Sequence, residues 1–231
     1  MNRFLPACLF VFAASTTLAA PVAPFKAEYF ASRNGKQLGQ TTIELIDNRD
    51  ATWTLRTTTV GTAGLASLVG LDVVEESRLR WTGGHPETLV YDFRQKAALR
   101  SKQRHADFDW ERRIVHMRDG DHEARYALVD GAVDRHALTI ALVADLARGV
   151  DPAPYKVAMK DAIEDIRYTD CGQAEVSVPA GRYATRCLER RREKRTSTSW
   201  FAARTGWLPV RIEQVEKDGE TITLELVSLQ R

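Results

Sequence analysis

The chain is poor in the patterns that announce chemistry. It contains no Gly-x-Ser-x-Gly turn and no His-Glu-x-x-His run, which leaves no hydrolase elbow and no zincin helix. It has no excess of one charge: 33 Lys and Arg stand against 31 Asp and Glu, a formal net charge of +2. A nucleic-acid binder is expected to be basic, so nucleic acid is not an expected partner. Cysteine is scarce, with only Cys8, Cys171 and Cys187, and their spacing fits neither a redox C-x-x-C pair nor a zinc site. No internal repeat and no low-complexity linker interrupts the chain. We therefore assign no catalytic residues, no metal ligands and no cofactor.

One apolar run is present, and it stands at the N-terminus. Arg3 is followed by an uncharged stretch from Phe4 to Leu18 and by the small residues Ala19 and Ala20. A short basic start, an apolar middle and a small-residue end describe a cleavable secretory signal. The run falls short of the ~20 residues that span a bilayer as a helix. We expect a signal peptide over residues 1–19 and a single β domain over 20–231, periplasmic and without a transmembrane anchor after cleavage.

The rest reads as strands. Phe25–Arg33 and Lys36–Ile46 flank Asn34-Gly35, the strongest short hairpin signal. Thr52–Val60, Asp72–Trp81, Glu87–Arg94, Leu99–Asp109, Arg113–Arg118 and Glu123–Val129 continue at intervals of roughly ten residues, as in sandwiches and barrels. Near the C-terminus, Glu216 to Glu220 suits a three-residue loop with Gly219 in the left-handed region. That loop predicts Ile212 opposite Leu224 and Arg211 opposite Glu225, because a one-residue slip would exchange the faces. A single helix is expected over Arg135–Arg148, capped by Asp134 and stopped by Gly149. It is apolar on nearly all sides, so it should be buried. The predicted fold is mainly β: a single curved antiparallel sheet or open barrel with one buried helix.

Export makes the remaining cysteines informative. Cys171 and Cys187 form an even pair for an oxidising compartment, and Val178-Pro179-Ala180-Gly181 between them makes a turn that brings them nearly opposite. A disulfide is expected there.

The stretch Ser199-Trp200-Phe201-Ala202 through Gly206-Trp207-Leu208-Pro209-Val210-Arg211-Ile212, ending in Asp218-Gly219, resembles the C-terminal signature of the bacterial domain of unknown function 3108 family. Val178-Pro179-Ala180-Gly181, Ala27-Glu28-Tyr29, Gly84-His85-Pro86 and the Asp134 to Leu146 helix are similar to further family features in the same order. The resemblance implies an exported protein with a curved antiparallel sheet and brings no activity with it. A weaker architectural similarity is to the periplasmic half-barrels that carry lipoproteins.

Three features carry functional expectations. The basic run from Arg182 to Arg195 sets Arg186, Arg190, Arg192 and Lys194 on one face of a strand; they either protect a sheet edge or contact anionic headgroups or envelope polymer. The segment Gly61 to Leu71 is glycine-rich with an apolar middle. It is either a packed crossover or a lid, with Gly64, Leu65 and Leu68 joining Leu138 and Leu142 around an apolar ligand. His116 and His122 bracket Asp119-Gly120-Asp121, which reads as a surface hairpin and not a calcium loop. The expected function is noncatalytic binding of a lipid, acyl chain or amphiphilic polymer. The alternatives are an assembly scaffold for another envelope protein, using the helix or an exposed edge, and an enzyme of unrecognised class.

Overall fold

The computed structural model describes residues 20–64, 67, 70–98 and 100–231. The proposed signal peptide, Leu65, Leu68 and Leu99 lie outside the described residues. The strands are β1 Phe25–Arg33, β2 Lys36–Asp47, β3 Trp53–Gly61, β4 Asp72–Thr82, β5 His85–Ala97, β6 Arg100–Asp109, β7 Ile114–Asp119 and β8 His122–Ala127. After them come β9 Val133–Asp134, helix α1 Leu138–Ala147, β10 Tyr155–Ala158 and β11 Ile163–Ile166. The chain closes with β12 Thr169–Val178, β13 Gly181–Arg192, β14 Arg195–Phe201, β15 Pro209–Val215 and β16 Thr221–Gln230.

Two meanders, β1 to β8 and β12 to β16, are welded into one 13-stranded antiparallel sheet by the pairing of β1 with β16. Its edges, β12 and β8, do not pair with each other, so the sheet is open. The expected curved antiparallel sheet with one helix is what is found. Turn chemistry sets much of this. Asn34 and Gly35 both have positive φ, the geometry of the tight turns whose twist matches the flanking strands. At the last hairpin, Glu216 N–H donates to the Glu220 carbonyl at 2.8 Å and Gly219 has φ 84°. Ile212 accordingly faces Leu224 and Arg211 faces Glu225.

The segment between the meanders fills the concavity. Helix α1 packs Leu138, Ile140, Leu142 and Val143, all 0–2% exposed, against Phe25, Leu45, Leu55, Leu79, Leu188 and Leu226 from both meanders. Burying each such side chain contributes about 1.5–3 kcal/mol. The helix begins at Leu138, three residues later than expected, and Asp134 is not its cap. Asp134 belongs instead to β9, which runs parallel to β10 in a separate three-stranded sheet. At the other end of the helix, buried Asp145 accepts from Tyr155 Oη at 2.6 Å and from Arg148. Arg148 also donates to the Gly83 carbonyl, and a methyl at Gly84 would run into its guanidinium. Gly84 is required more by its backbone, since its φ of 83° lies in the left-handed region that favours glycine.

The cysteines are bonded, with Cα atoms 5.0 Å apart. Cys187 faces Gly172 in the ladder, because a bulge between Asp170 and Gly172 holds Cys171. The bond closes a loop of sequence separation 16, for which chain entropy gives about 3 kcal/mol. The Cys171→Ser, Cys187→Ser double variant should therefore lower the unfolding free energy by about that amount. Urea unfolding measures it, and an unchanged midpoint would refute it.

Candidate ligand-binding concavity

The half of the concavity beside the helix is nearly solid. The void there is about 60 Å³, lined by Phe25, Tyr29, Leu55, His136, Ile140 and Val143 among others. Leu138 and Leu142, expected to line a ligand cavity, do not border it and are each 1% exposed. They are core residues, because the sheet closes tightly on that side of the helix.

A polar network anchors the helix entrance to the sheet. Asp134 is fully buried. Its Oδ1 accepts from Ser77 Oγ at 3.0 Å and from the His136 and Ala137 N–H groups at 2.7 and 2.9 Å; its Oδ2 accepts from Thr88 Oγ1 at 2.8 Å. With the single Ser77 proton directed to Asp134, Ser77 Oγ accepts from His136 Nδ1–H at 2.9 Å. His136 Nε2 then accepts from Thr57 Oγ1 at 2.8 Å. Burial pushes the Asp134 carboxyl above the usual carboxylate range, and the hydrogen bonds from Ala137, Thr88 and Ser77 oppose that shift. Ser77 is 0% exposed and committed to Asp134, so it is not an accessible nucleophile. Sequence reasoning missed this network, since its members come from β3, β4, β5, β9 and the turn after β9. The one available signal was a polar Ser77 two residues before inward-facing Leu79.

The other half of the concavity is open and changes character across its width. A pocket of about 320 Å³ is lined by Arg135, Arg190, Arg192, Arg195, Ser197, Gln214 and Lys217, with Met159 and Glu193. A groove of about 710 Å³ carries Leu38, Leu71, Val73, Phe93 and Ile222 among polar rim residues. Arg195 and Lys217 line both, so a basic pocket and an apolar groove share a wall. Strand register explains the gradient: Arg190 lies opposite Ser197, Ser197 opposite Gln214, and Gln214 opposite Ile222. One cross-strand row thus runs from a cation through two hydrogen-bonding side chains to an aliphatic one.

Of the two expectations for the basic run, edge protection is met only at its end: β12 covers β13 as far as Thr169 opposite Glu189, so Arg186 lies inside the sheet while Arg190 and Arg192 extend past the edge strand. Arg186, Arg190 and Arg192 alternate along β13 with the same parity as Leu188, which is 1% exposed in the core. Arg190 and Arg192 line the basic pocket, whereas Arg186 does not. Arg186 is held by Asp151 at 2.9 Å and Asp170 at 2.8 Å, and these bonds raise its pKa, the one to Asp151 most. Lys194 leaves the row, since β13 ends at Arg192. Gly64 sits in the β3–β4 connection, whose base is closed by Gly61 N–H on the Leu71 carbonyl at 2.8 Å and by Thr62 N–H on the Leu38 carbonyl at 3.1 Å. Leu38 and Leu71 line the groove, so this connection springs from the groove's rim. Glu75 and Glu76, adjacent on β4, point apart, the first toward Tyr91 and Arg135, the second toward Arg56. His116 and His122 belong to the β7–β8 hairpin. No tryptophan lines the pocket or the groove.

Fold and site define the class: an open curved β-sheet wrapped around one buried helix, with a two-toned concavity at its free end. The chain belongs to the DUF3108 family, described as proteins of unknown function, whose model matches residues 25–227. It is similar in structure to the β-barrel-like protein of domain of unknown function DUF1849 from Brucella abortus. That match has 10% identity and a TM-score of 0.57, covering 92% of this chain and 99% of that one, and it bears on fold alone. A protein from Parabacteroides distasonis, provisionally described as a lipoprotein, matches at 10% identity with a TM-score of 0.36, over 91% and 97% of the two chains. No curated protein matches. Among the described residues, no helix is long and apolar enough to cross a membrane.

Proposed function

We propose that the chain is a noncatalytic binding protein of the periplasm that takes an anionic amphiphile, head in the basic pocket and aliphatic tail along the apolar groove. The observation that carries this reading is the shared wall of Arg195 and Lys217 between a cationic pocket and a groove bearing five apolar side chains. Ligand sites in barrel-like folds lie in such mouths, and a few placed polar groups beside apolar surface orient a lipid. The scaffold alternative loses its helix, whose apolar residues are buried inside the chain. The exposed large apolar side chains, Phe30, Ile46, Val60 and Val150, do not make one helical docking face. Native mass spectrometry of full chain purified from a Gram-negative periplasm, followed by organic extraction, should show a co-purifying lipid adduct that denaturation releases. A bare mass, together with no uptake of added fatty acid, would sink the proposal.

A further inference from the structure

The charges around the basic pocket limit what it accepts. Of its five cations, four are already matched by carboxylates. Arg135 lies 3.6 Å from Glu75, Arg192 2.8 Å from Glu164, and Arg195 2.6 Å from Glu216, while Lys217 contacts Glu193. Lys217 also holds the Glu193 carboxyl below its ordinary pKa, chiefly by that hydrogen bond, so that carboxylate is ionised at neutral pH. Among the described residues, Arg190 has no carboxylate within the 4.0 Å ion-pair distance. Its position is nevertheless a built one. It lies on the core-facing side of β13, opposite Ser197, which is itself opposite Gln214. Burial pushes the Tyr168 hydroxyl upward, and the Arg190 charge opposes that shift, so the guanidinium lies close to the packed interior.

We propose that the pocket is tuned to a head group bearing a single negative charge, bound by Arg190 with Ser197 and Gln214 as hydrogen-bonding neighbours, and that it discriminates against dianionic heads. This rests on the amphiphile reading above. A monoanion satisfies the one cation without a partner. A second negative charge in the same pocket lies beside Glu193, which lines it, and near the carboxylates that already neutralise Arg135, Arg192 and Arg195, without a cation to spare among the described residues, and like charges repel. The shared chemistry is a monoanionic oxygen head on an aliphatic chain, whether a fatty-acid carboxylate or the phosphodiester of a single-chain phospholipid. The row leading from Arg190 to Ile222 directs that chain into the groove.

The test titrates the full chain with four probes below their micellar concentrations: dodecanoate, a single-chain phosphatidylglycerol, dodecyl phosphate and dodecyl maltoside. At pH 8 the alkyl phosphate is largely a dianion. Dodecanoate or the phosphatidylglycerol should bind tightest, and the stronger of the two names the source. Dodecyl phosphate should bind about tenfold more weakly, and Arg190→Gln should weaken the monoanions by about tenfold. Glu164→Gln, which leaves Arg192 without its carboxylate, should shift preference toward dodecyl phosphate. The inference is overturned if dodecyl phosphate or dodecyl maltoside matches dodecanoate on the native chain, or if Arg190→Gln changes nothing while its circular dichroism stays native. Should none of the four probes bind, the amphiphile reading itself fails, a result distinct from binding that ignores head charge.

Discussion

Replacing Asp134 with alanine should destabilise the chain by about 3–5 kcal/mol, a large fraction of what a domain of this kind holds in reserve. The reason is the number of donors left behind. Ser77 Oγ, Thr88 Oγ1 and the N–H groups of His136 and Ala137 all converge on one carboxylate that is 0% exposed. Each buried donor without a partner costs about 1–3 kcal/mol, and partial rearrangement keeps the sum below four independent losses. The network is also where β4 and β5 meet the turn that launches α1, so its loss loosens the helix that fills the concavity. Asp134→Asn keeps one acceptor oxygen and should cost about half as much. Urea unfolding of both variants measures the difference.

The same carboxyl carries a pH signature. In the unfolded chain it titrates near the usual value of about 3.9, whereas burial raises it in the fold. Between those two values the folded state binds more protons than the unfolded one. The stabilisation from the protonated side chain is thus complete below the unfolded value and is lost as pH rises through the folded one. The amide introduced by Asp134→Asn does not titrate in this range, so the stability gap between the native chain and that variant should narrow from pH 4 to pH 7. A widening gap would mean that the four hydrogen bonds outweigh burial and hold the carboxylate ionised.

The sequence made the eight strands of the first meander legible because each alternates apolar and polar residues between strong turn residues. Lys36–Ile46 was expected where Lys36–Asp47 is found, and Asn34-Gly35 fixed the turn before it. The start of α1 was hidden, since Asp134 has the chemistry of a cap but spends it on the turn and on two strands. The four-residue strands β10 and β11 have too little length for periodicity to speak. The candidate site was half legible. The basic run on β13 stood out by composition. Its effect depends on Ser197, Gln214 and Ile222, brought beside it by register, and on Glu75 and Glu164, brought from far along the chain. Pairings between distant segments leave no local trace, so neither the shared wall nor the charge balance was visible beforehand.

Leu142 gives the sharpest separation of the two halves of the concavity. If the space beside the helix were a ligand chamber, Leu142→Ala would enlarge it at little expense to the fold. The side chain is instead 1% exposed within the cluster that joins both meanders, and the neighbouring void is about 60 Å³. Truncation then removes buried methyl groups and leaves a hole that close-packed neighbours fill only in part, which costs about 2–5 kcal/mol. Ligand uptake should respond differently. The groove takes its apolar lining from Leu38, Leu71, Val73, Phe93 and Ile222, none of them on α1. In conditions where Leu142→Ala remains folded, its affinity for dodecanoate should stay within about twofold of the native chain, since no lining atom changes. Val73→Asp should do the reverse, placing a charge in the groove at a partly buried strand position, weakening uptake far more than it lowers the melting temperature. Stability lost with affinity kept at Leu142, and affinity lost with stability largely kept at Val73, would locate the ligand in the open half; any other pairing places it elsewhere.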